Sequence, residues 1–351
     1  MRARPAKQGR FERVKCIGKG SYGEALLVRQ RVDGKLMVIK RIPVAKLTAK
    51  EREAVINEAQ LLSGLDHCNI IGYHTAYTTP KHCCIVLDFA DGGDLSQRIE
   101  STRARGQRLN KAVVLDWFAQ LCSAMNYVHS RNILHRDLKA ANIFLTKELI
   151  IKLGDFGIAK ELTSSKALAE TVIGTPYYMS PELCEDQPYG EKSDVWAMGC
   201  VLYELMALTL PFTGSNLAGL VVKIIRGRYA PVPPQYGEEA AALTACLLER
   251  EPRVRPTVRE ILDTAIVAKA LARFERRFKT LSERAERAKR PLELDATIVS
   301  PRYEKPLSPP SAARGAAARV ASPLRPGCGA GERSRDAGQR QRQQPAPSPR
   351  G

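Results

Sequence analysis

Apolar positions in the first 85 residues fall in short runs, not in helical stripes. Arg13 to Ile17, Ala25 to Gln30 and Leu36 to Ile42 are of strand length and are separated by turns that contain glycine. That is the pattern of partly buried strands. At Thr48 the period changes: Val55, Ala59, Leu62 and Leu65 share one face of a helix ending near Leu65. Residues 111 to 266 read mostly as helical runs joined by loops. A small strand-rich unit followed by a larger helical one predicts an α+β architecture of two lobes. The N-lobe would span about 11–90 and the C-lobe about 91–266, with a cleft between them.

Further along, Val267, Leu271, Phe274, Phe278 and Leu281 recur at alternating spacings of four and three. They predict an amphipathic helix over 267–290 with a coiled-coil-like stripe, too short for a coiled coil to be preferred over packing on the preceding domain. Beyond 291 the chain turns rich in Pro, Ala, Arg, Gln, Gly and Ser and nearly loses large apolar residues. Such a segment cannot offset its conformational entropy by burial, so 291–351 reads as a disordered, basic Pro/Ser/Arg-rich tail. Trp196 to Phe212 is the most apolar region. Glu204 interrupts it and Pro211 stops it, so it reads as a buried core helix and not as a transmembrane segment. The first ten residues carry no apolar run suited to a signal peptide. Nine cysteines without a C-x-x-C pair suit a reduced, cytoplasmic chain that uses cysteine mostly as a small core hydrophobe.

Charge changes the picture only at the C-terminus. From Val267 onward 19 Lys and Arg stand against 8 Asp and Glu, which is +11 of the chain's +18. Basicity therefore describes the tail more than the body, and it suggests attraction to an acidic partner. Sequence-specific nucleic-acid readout is not supported, because Tyr303 is the one aromatic beyond residue 291.

Several polar residues sit where apolar ones belong. Gly18-Lys19-Gly20-Ser21-Tyr22-Gly23 is a G-x-G-x-x-G turn followed by a strand pattern, not by the helix a dinucleotide fold requires. It reads as a hairpin: an ordinary turn, or a lid whose backbone N–H groups approach phosphate. Lys40 lies in the apolar run Met37-Val38-Ile39, and Glu58 lies on the apolar face of the following helix. The two explain each other as an ion pair that positions phosphates. The stretch "HRDLKAANIFL" (135–145) sets charged heads between apolar flanks, and Asp155 follows in "LGDFG". Asn142 and Asp155 offer hard oxygen ligands suited to Mg²⁺, leaving Asp137 to accept or orient a hydroxyl proton.

Together these residues resemble the eukaryotic protein kinases: the glycine loop, Lys40, Glu58, "HRDLKAAN", "DFG" and Ser180-Pro181-Glu182 occur in that family's order across about residues 11–266. "KGSYGEALLV", "FADGGDLSQRI" and "VIGTPYYMSPEL" resemble the NimA-related (NEK) serine/threonine kinases in particular. The resemblance implies ATP and Mg²⁺ as cofactors and Ser/Thr hydroxyls of proteins as acceptors. Ile17, Gly18, Lys19, Gly20, Ser21, Tyr22, Gly23, Glu24, Ala25 and Val38 would surround the nucleotide. Lys40, held by Glu58, would meet its α/β-phosphates, while the Asp88 carbonyl and the Ala90 amide would meet adenine. Asn142 and Asp155 would hold the metal, Asp137 would be the catalytic base, and Lys139 would sit beside it.

The resemblance also implies that Asp194 accepts backbone hydrogen bonds from the catalytic loop and that Glu182 pairs with Arg255. Thr171, between "DFG" and "SPE", is the expected activating phosphorylation site, its phosphate meeting Arg136. Ser180 departs from the more usual Ala, and Cys68 stands where Pro is common. No catalytic position is degraded, which argues against an inactive scaffold. By family analogy the cytoskeleton, centrosome or cilium are candidate sites of action.

Overall fold

The computed structural model describes residues 10–20, 23–44, 62–156 and 176–289. All lie in the first of two units into which the chain divides, Met1–Pro291 and Leu292–Gly351. Ser21, Tyr22, Glu58, Gly157, Thr171 and Thr175 fall outside the described residues, as does the tail.

The strand-patterned runs form one antiparallel sheet. Its strands are β1 (Phe11–Gly20), β2 (Gly23–Gln30), β3 (Leu36–Pro43), β4 (Tyr73–Thr78) and β5 (His82–Asp88), in the order β1-β2-β3-β5-β4. β1 runs three residues beyond the expected Ile17, because its pairing with β2 continues down to Gly20 opposite Gly23. Alternation assigns two faces, since directly opposed residues share a face. Ala25, Lys40 and Ile85 stand opposite one another, as do Leu27, Val38 and Leu87. The other face carries Leu26, Val28, Met37, Ile39, Cys84 and Val86, all buried in a cluster of their own.

The larger lobe holds α1 (Leu95–Ala104), α2 (Lys111–His129), α3 (Pro181–Cys184), α4 (Glu191–Ala207), α5 (Leu217–Arg226), α6 (Gly237–Leu247), α7 (Val258–Leu262) and α8 (Ala265–Lys289). A short hairpin, β6 (Ile143–Leu145) with β7 (Ile151–Leu153), lies between α2 and α3. Cap chemistry sets several helix starts. Asp94 accepts from the Gln97 amide at 2.9 Å, and Asn110 from that of Ala112 at 2.8 Å. Thr257 and Glu260 form a reciprocal capping box at the start of α7. The apolar region read as a core helix is α4, buried along most of its length. No helix among the described residues is long and apolar enough to cross a membrane. Of the eight described cysteines, Cys83, Cys84, Cys122 and Cys200 are buried, while Cys246 is exposed.

The amphipathic C-terminal helix is present as α8 and begins two residues earlier than the pattern suggests. Val267 and Ala270 are buried in the main core, and Phe274, also buried, meets Phe278 with ring centroids 5.6 Å apart. Arg273 Nε donates to Asp116 Oδ1 of α2 at 2.7 Å. The stripe is therefore spent on the domain itself. Phe274→Ala should cost about 3–5 kcal/mol of unfolding free energy, the range for deleting a buried aromatic side chain, measured from urea midpoints of the full chain. A loss below about 1 kcal/mol would mean that α8 does not pack as described.

Candidate active site

The cleft-facing residues follow from the strand alternation. Ala25, Val38 and Lys40 lie on one face of the sheet, with Gly18 opposite Ala25. Ile17 sits at a bulge between Cys16 and Gly18 and is 42% exposed. Glu24 belongs to the other face: its Oε1 pairs with Arg41 Nη1 at 2.9 Å, and Lys19 lies opposite it on β1. A carboxylate held there is directed away from Lys40. Gly23 has φ +135°, and a Cβ on it would lie 2.0 Å from the Arg41 carbonyl oxygen. Only glycine fits that position.

Lys40 reaches across the cleft. Its Nζ stands 3.4 Å from Asp155 Oδ1, joining the sheet to the segment after β7. Asp155 takes a left-handed backbone, φ +53°, and its neighbour Gly154 bonds through its amide to the Asn142 carbonyl at 3.0 Å. Asp155 is 45% exposed toward the cleft side of Lys40 while Phe156 is buried. Left-handed conformations in non-glycine residues are costly and persist where the surroundings enforce them.

Arg136 is left-handed too, and there the enforcing group is Asp194, wholly buried in α4. Its Oδ2 accepts from the His135 amide at 3.0 Å and from His129 Nε2 at 2.9 Å. Its Oδ1 accepts from the Arg136 amide at 3.1 Å and from the Tyr189 hydroxyl. Burial alone would raise its pKa. The bonds from His129 and Tyr189, with nearby His135, outweigh that and hold the carboxyl below its ordinary range. Arg136 adopts φ +65° as a result of this anchoring. His135 is fixed next: Nε2 donates to the Gly154 carbonyl at 3.2 Å, and Nδ1 accepts from the Asp137 amide at 3.4 Å. Since a carbonyl can only accept and an amide only donate, the ring is the neutral tautomer. Burial lowers its pKa in the same sense. The ring also packs on Phe156, centroids 4.6 Å apart.

Asp137 is thereby set in place. Its Oδ2 accepts from Lys139 Nζ at 2.9 Å and from Asn142 Nδ2 at 3.0 Å, and Asn142 Nδ2 also bonds to the Asp137 carbonyl at 2.7 Å. With its nitrogen directed at Asp137, Asn142 has its amide oxygen for a cation. The structure thus brings together Lys40, Asp137, Lys139, Asn142 and Asp155 from two lobes. Asp88 ends β5, and Ala90 follows it, half-buried, where the chain leaves the sheet. Among the described residues no three His, Cys, Asp or Glu side chains cluster as a metal site. Asn142 with Asp155 is nonetheless a donor set that suits Mg²⁺, which takes few protein ligands and completes its shell with phosphate and water.

Away from the cleft, Arg255 and Glu182 form the expected pair, bidentate at 2.9 and 3.1 Å, with both residues buried. Ser193 donates to Glu182 Oε1 at 2.7 Å. Ser180 is buried and its hydroxyl has no hydrogen-bond partner among the described residues, so the methyl of the commoner Ala would lose no bond to them. Sequence reading missed His129 and Tyr189. Each is a polar ring in an unremarked position, and only the fold brings them to Asp194.

A family model described as a protein kinase domain matches residues 11–267. The chain is 45% identical over 265 residues to the serine/threonine-protein kinase Nek1 of Mus musculus, covering 76% of this chain and 22% of that protein. It is 45% identical over 262 residues to a probable serine/threonine-protein kinase, nek3, of Dictyostelium discoideum, covering 74% and 23%. It is 41% identical over 266 residues to Nek5 of Homo sapiens, covering 76% and 37%. The chain thus spans well under half the length of these relatives.

The depressed pKa of Asp194 has a signed consequence. A carboxyl whose folded pKa lies below its unfolded value, about 3.9, stabilises the fold above that value and loses the contribution as pH falls through the folded one. Asp194→Asn should therefore be less stable than the wild type at pH 7. The difference should shrink as pH falls below about 4, as read from urea midpoints at the two pH values.

Proposed function

Because the chain belongs to the protein kinase family, we propose that it transfers the γ-phosphoryl group of ATP to serine and threonine hydroxyls of protein substrates, as a NEK-like enzyme. The carrying observation is Asp137, fixed by Lys139 and Asn142 on one oxygen, facing a cleft that Lys40 and Asp155 span. Phosphoryl transfer asks mainly for positioning and electrostatics, and a rigid carboxylate beside a cation supplies both.

In this reading Ile17, Ala25 and Val38 enclose adenine, and the Asp88 carbonyl and Ala90 amide hydrogen-bond its edge. Backbone amides around Gly18, Gly20 and Gly23 meet the phosphates, and Lys40 neutralises them. Asn142 and Asp155 would hold Mg²⁺, which supplies charge neutralisation for the phosphates when bound. Asp137 orients the acceptor hydroxyl and takes its proton. Lys139, on the same carboxylate, stabilises the charge that develops and keeps the acceptor site shallow, which suits an aliphatic hydroxyl better than a phenol. Glu58 is assigned to hold Lys40. The basic tail is assigned to acidic partners, and Ser300, Ser308, Ser322 and Ser348, each before Pro, would modulate that attraction when phosphorylated. By family analogy its action is assigned to the cytoplasm, near the cytoskeleton, centrosome or cilium.

Asp137→Asn should lower kcat by about 10²–10⁴-fold, the range for losing a general base, with little change in ATP affinity. Single-turnover kinetics with a nucleotide-binding assay would check this, and a large loss of ATP binding would mean that Asp137 has another role. A pool of peptides with Tyr as the sole acceptor should remain unlabelled.

Activation is assigned to phosphorylation of Thr171. The Asp194 anchor fixes the Arg136 backbone, so that guanidinium is carried on a rigid support beside Asp137. A phosphate on Thr171 would form charge-assisted hydrogen bonds with it and order the substrate site. Thr171→Ala should therefore lower activity at least tenfold, roughly the effect of losing one such charge-assisted contact, and phosphatase treatment of the wild type should match it. Full activity in a folded Thr171→Ala enzyme that ignores phosphatase would rule the switch out.

A further inference from the structure

Asp88 is the last residue of β5 paired in the sheet, opposite Met37 on the face turned away from Lys40. Its carboxylate is held from two other segments. Lys35 Nζ, in the turn between β2 and β3, donates to Oδ1 at 2.9 Å, and His74 Nε2 donates to the same oxygen at 2.8 Å. His74 is the extra residue of a β-bulge: Tyr73 opposes Leu87 and Thr75 opposes Val86, leaving His74 between them. A bulge re-aims a side chain, and here it turns the imidazole onto Asp88. The second oxygen is confined as well, since a Cβ on Gly72 would lie 2.3 Å from Asp88 Oδ2. The Asp88 amide completes the set by donating to the Gly72 carbonyl at 2.8 Å. Burial would raise the Asp88 pKa, but His74 and Lys35 outweigh it and keep the carboxylate ionised.

We propose that Lys35, Gly72 and His74 are positioning residues for nucleotide selection, clamping Asp88 so that its backbone carbonyl faces the adenine edge. This rests on the ATP-dependent reading above and deepens it. A carbonyl can only accept a hydrogen bond. Adenine presents its exocyclic N6 amine as a donor, whereas guanine presents the O6 acceptor at the same edge. A carbonyl locked in orientation therefore rewards ATP and rejects GTP, and one free to turn does neither. The clamp sits behind the strand end and need not touch nucleotide. Its effect passes through the Asp88 peptide unit.

The two donors are half-exposed, so each ion pair contributes modestly and the pair must be removed together. In the full chain, Lys35→Met/His74→Ala should raise KM for ATP about fivefold, the scale of about 1 kcal/mol. GTP should change little and kcat should stay within about twofold, so the ATP-over-GTP preference falls by nearly the same factor. Lys35→Met/His74→Gln, which keeps a neutral donor on the bulge, should recover most of the loss. Gly72→Ala, which drives a methyl into the carboxylate, should exceed the double variant. Should it fail to fold, the two surface substitutions carry the test. The clamp is overturned if KM for ATP is unchanged, if ATP and GTP weaken equally, or if kcat and thermal midpoint fall with KM constant. Absence of ATP turnover in the unaltered chain would overturn the kinase reading itself, and the clamp with it.

Discussion

A buried carboxylate with four hydrogen-bond donors governs the geometry of the cleft. Asp194 receives two backbone amides from the segment before Asp137, a histidine from the end of α2 and a tyrosine from the loop before α4. An unpaired charge at that depth would be prohibitive, so each donor is obligatory for the others. The backbone at Arg136 accepts a left-handed turn because the alternative leaves Asp194 unsatisfied. His135, Asp137 and Asn142 then inherit their positions along a chain of hydrogen bonds that ends at Asp155. Each of these polar groups is held by a partner in the same network, which ties the site's parts to one another.

The Glu182–Arg255 pair repeats this logic at the base of the lobe. Arg255 is wholly buried, its guanidinium also meets the Glu249 carbonyl at 3.0 Å, and it lies 5.2 Å from the Trp196 ring. Buried pairs of this kind add little net stability against an apolar replacement, but breaking one partner is severe. The consequence is register: α3, α4 and the segment before α7 meet in one arrangement. The segment that leads into α3 is thereby held against α4, which carries Asp194.

Much of this was legible in the sequence because it rested on residues out of place. Lys40 in an apolar strand, Asp155 before Phe156 and the heads of "HRDLKAAN" each demanded a partner. The period-two and period-four patterns assigned β2, β3 and α8 within a few residues. What escaped was side-chain direction at positions where local pattern is silent. Glu24 neighbours Ala25 in sequence, yet the pleat sends it to Arg41 on the opposite face, so adjacency to the glycine loop did not make it face the phosphates. The β4 bulge is invisible to periodicity, since one inserted residue alters facing without altering composition. Hence nothing in the sequence singles out His74. Asp194 also takes His129, 65 positions before it, and Tyr189, five before it, and nothing in the local pattern of either announces the contact.

Arg273 of α8 bonds to Asp116 of α2 across 157 positions of chain, and Val267 and Ala270 enter the same core as α2. This pairs the first long helix of the lobe with its last. During synthesis α2 leaves the ribosome early, carrying an apolar face that α8 will cover only after nearly the whole domain has emerged. Closing so long a loop costs chain entropy before the contact returns anything, which places this packing late in folding. Until then the nascent lobe exposes the surface that draws chaperones or self-association. The last helix is thus the closing step in the lobe's assembly.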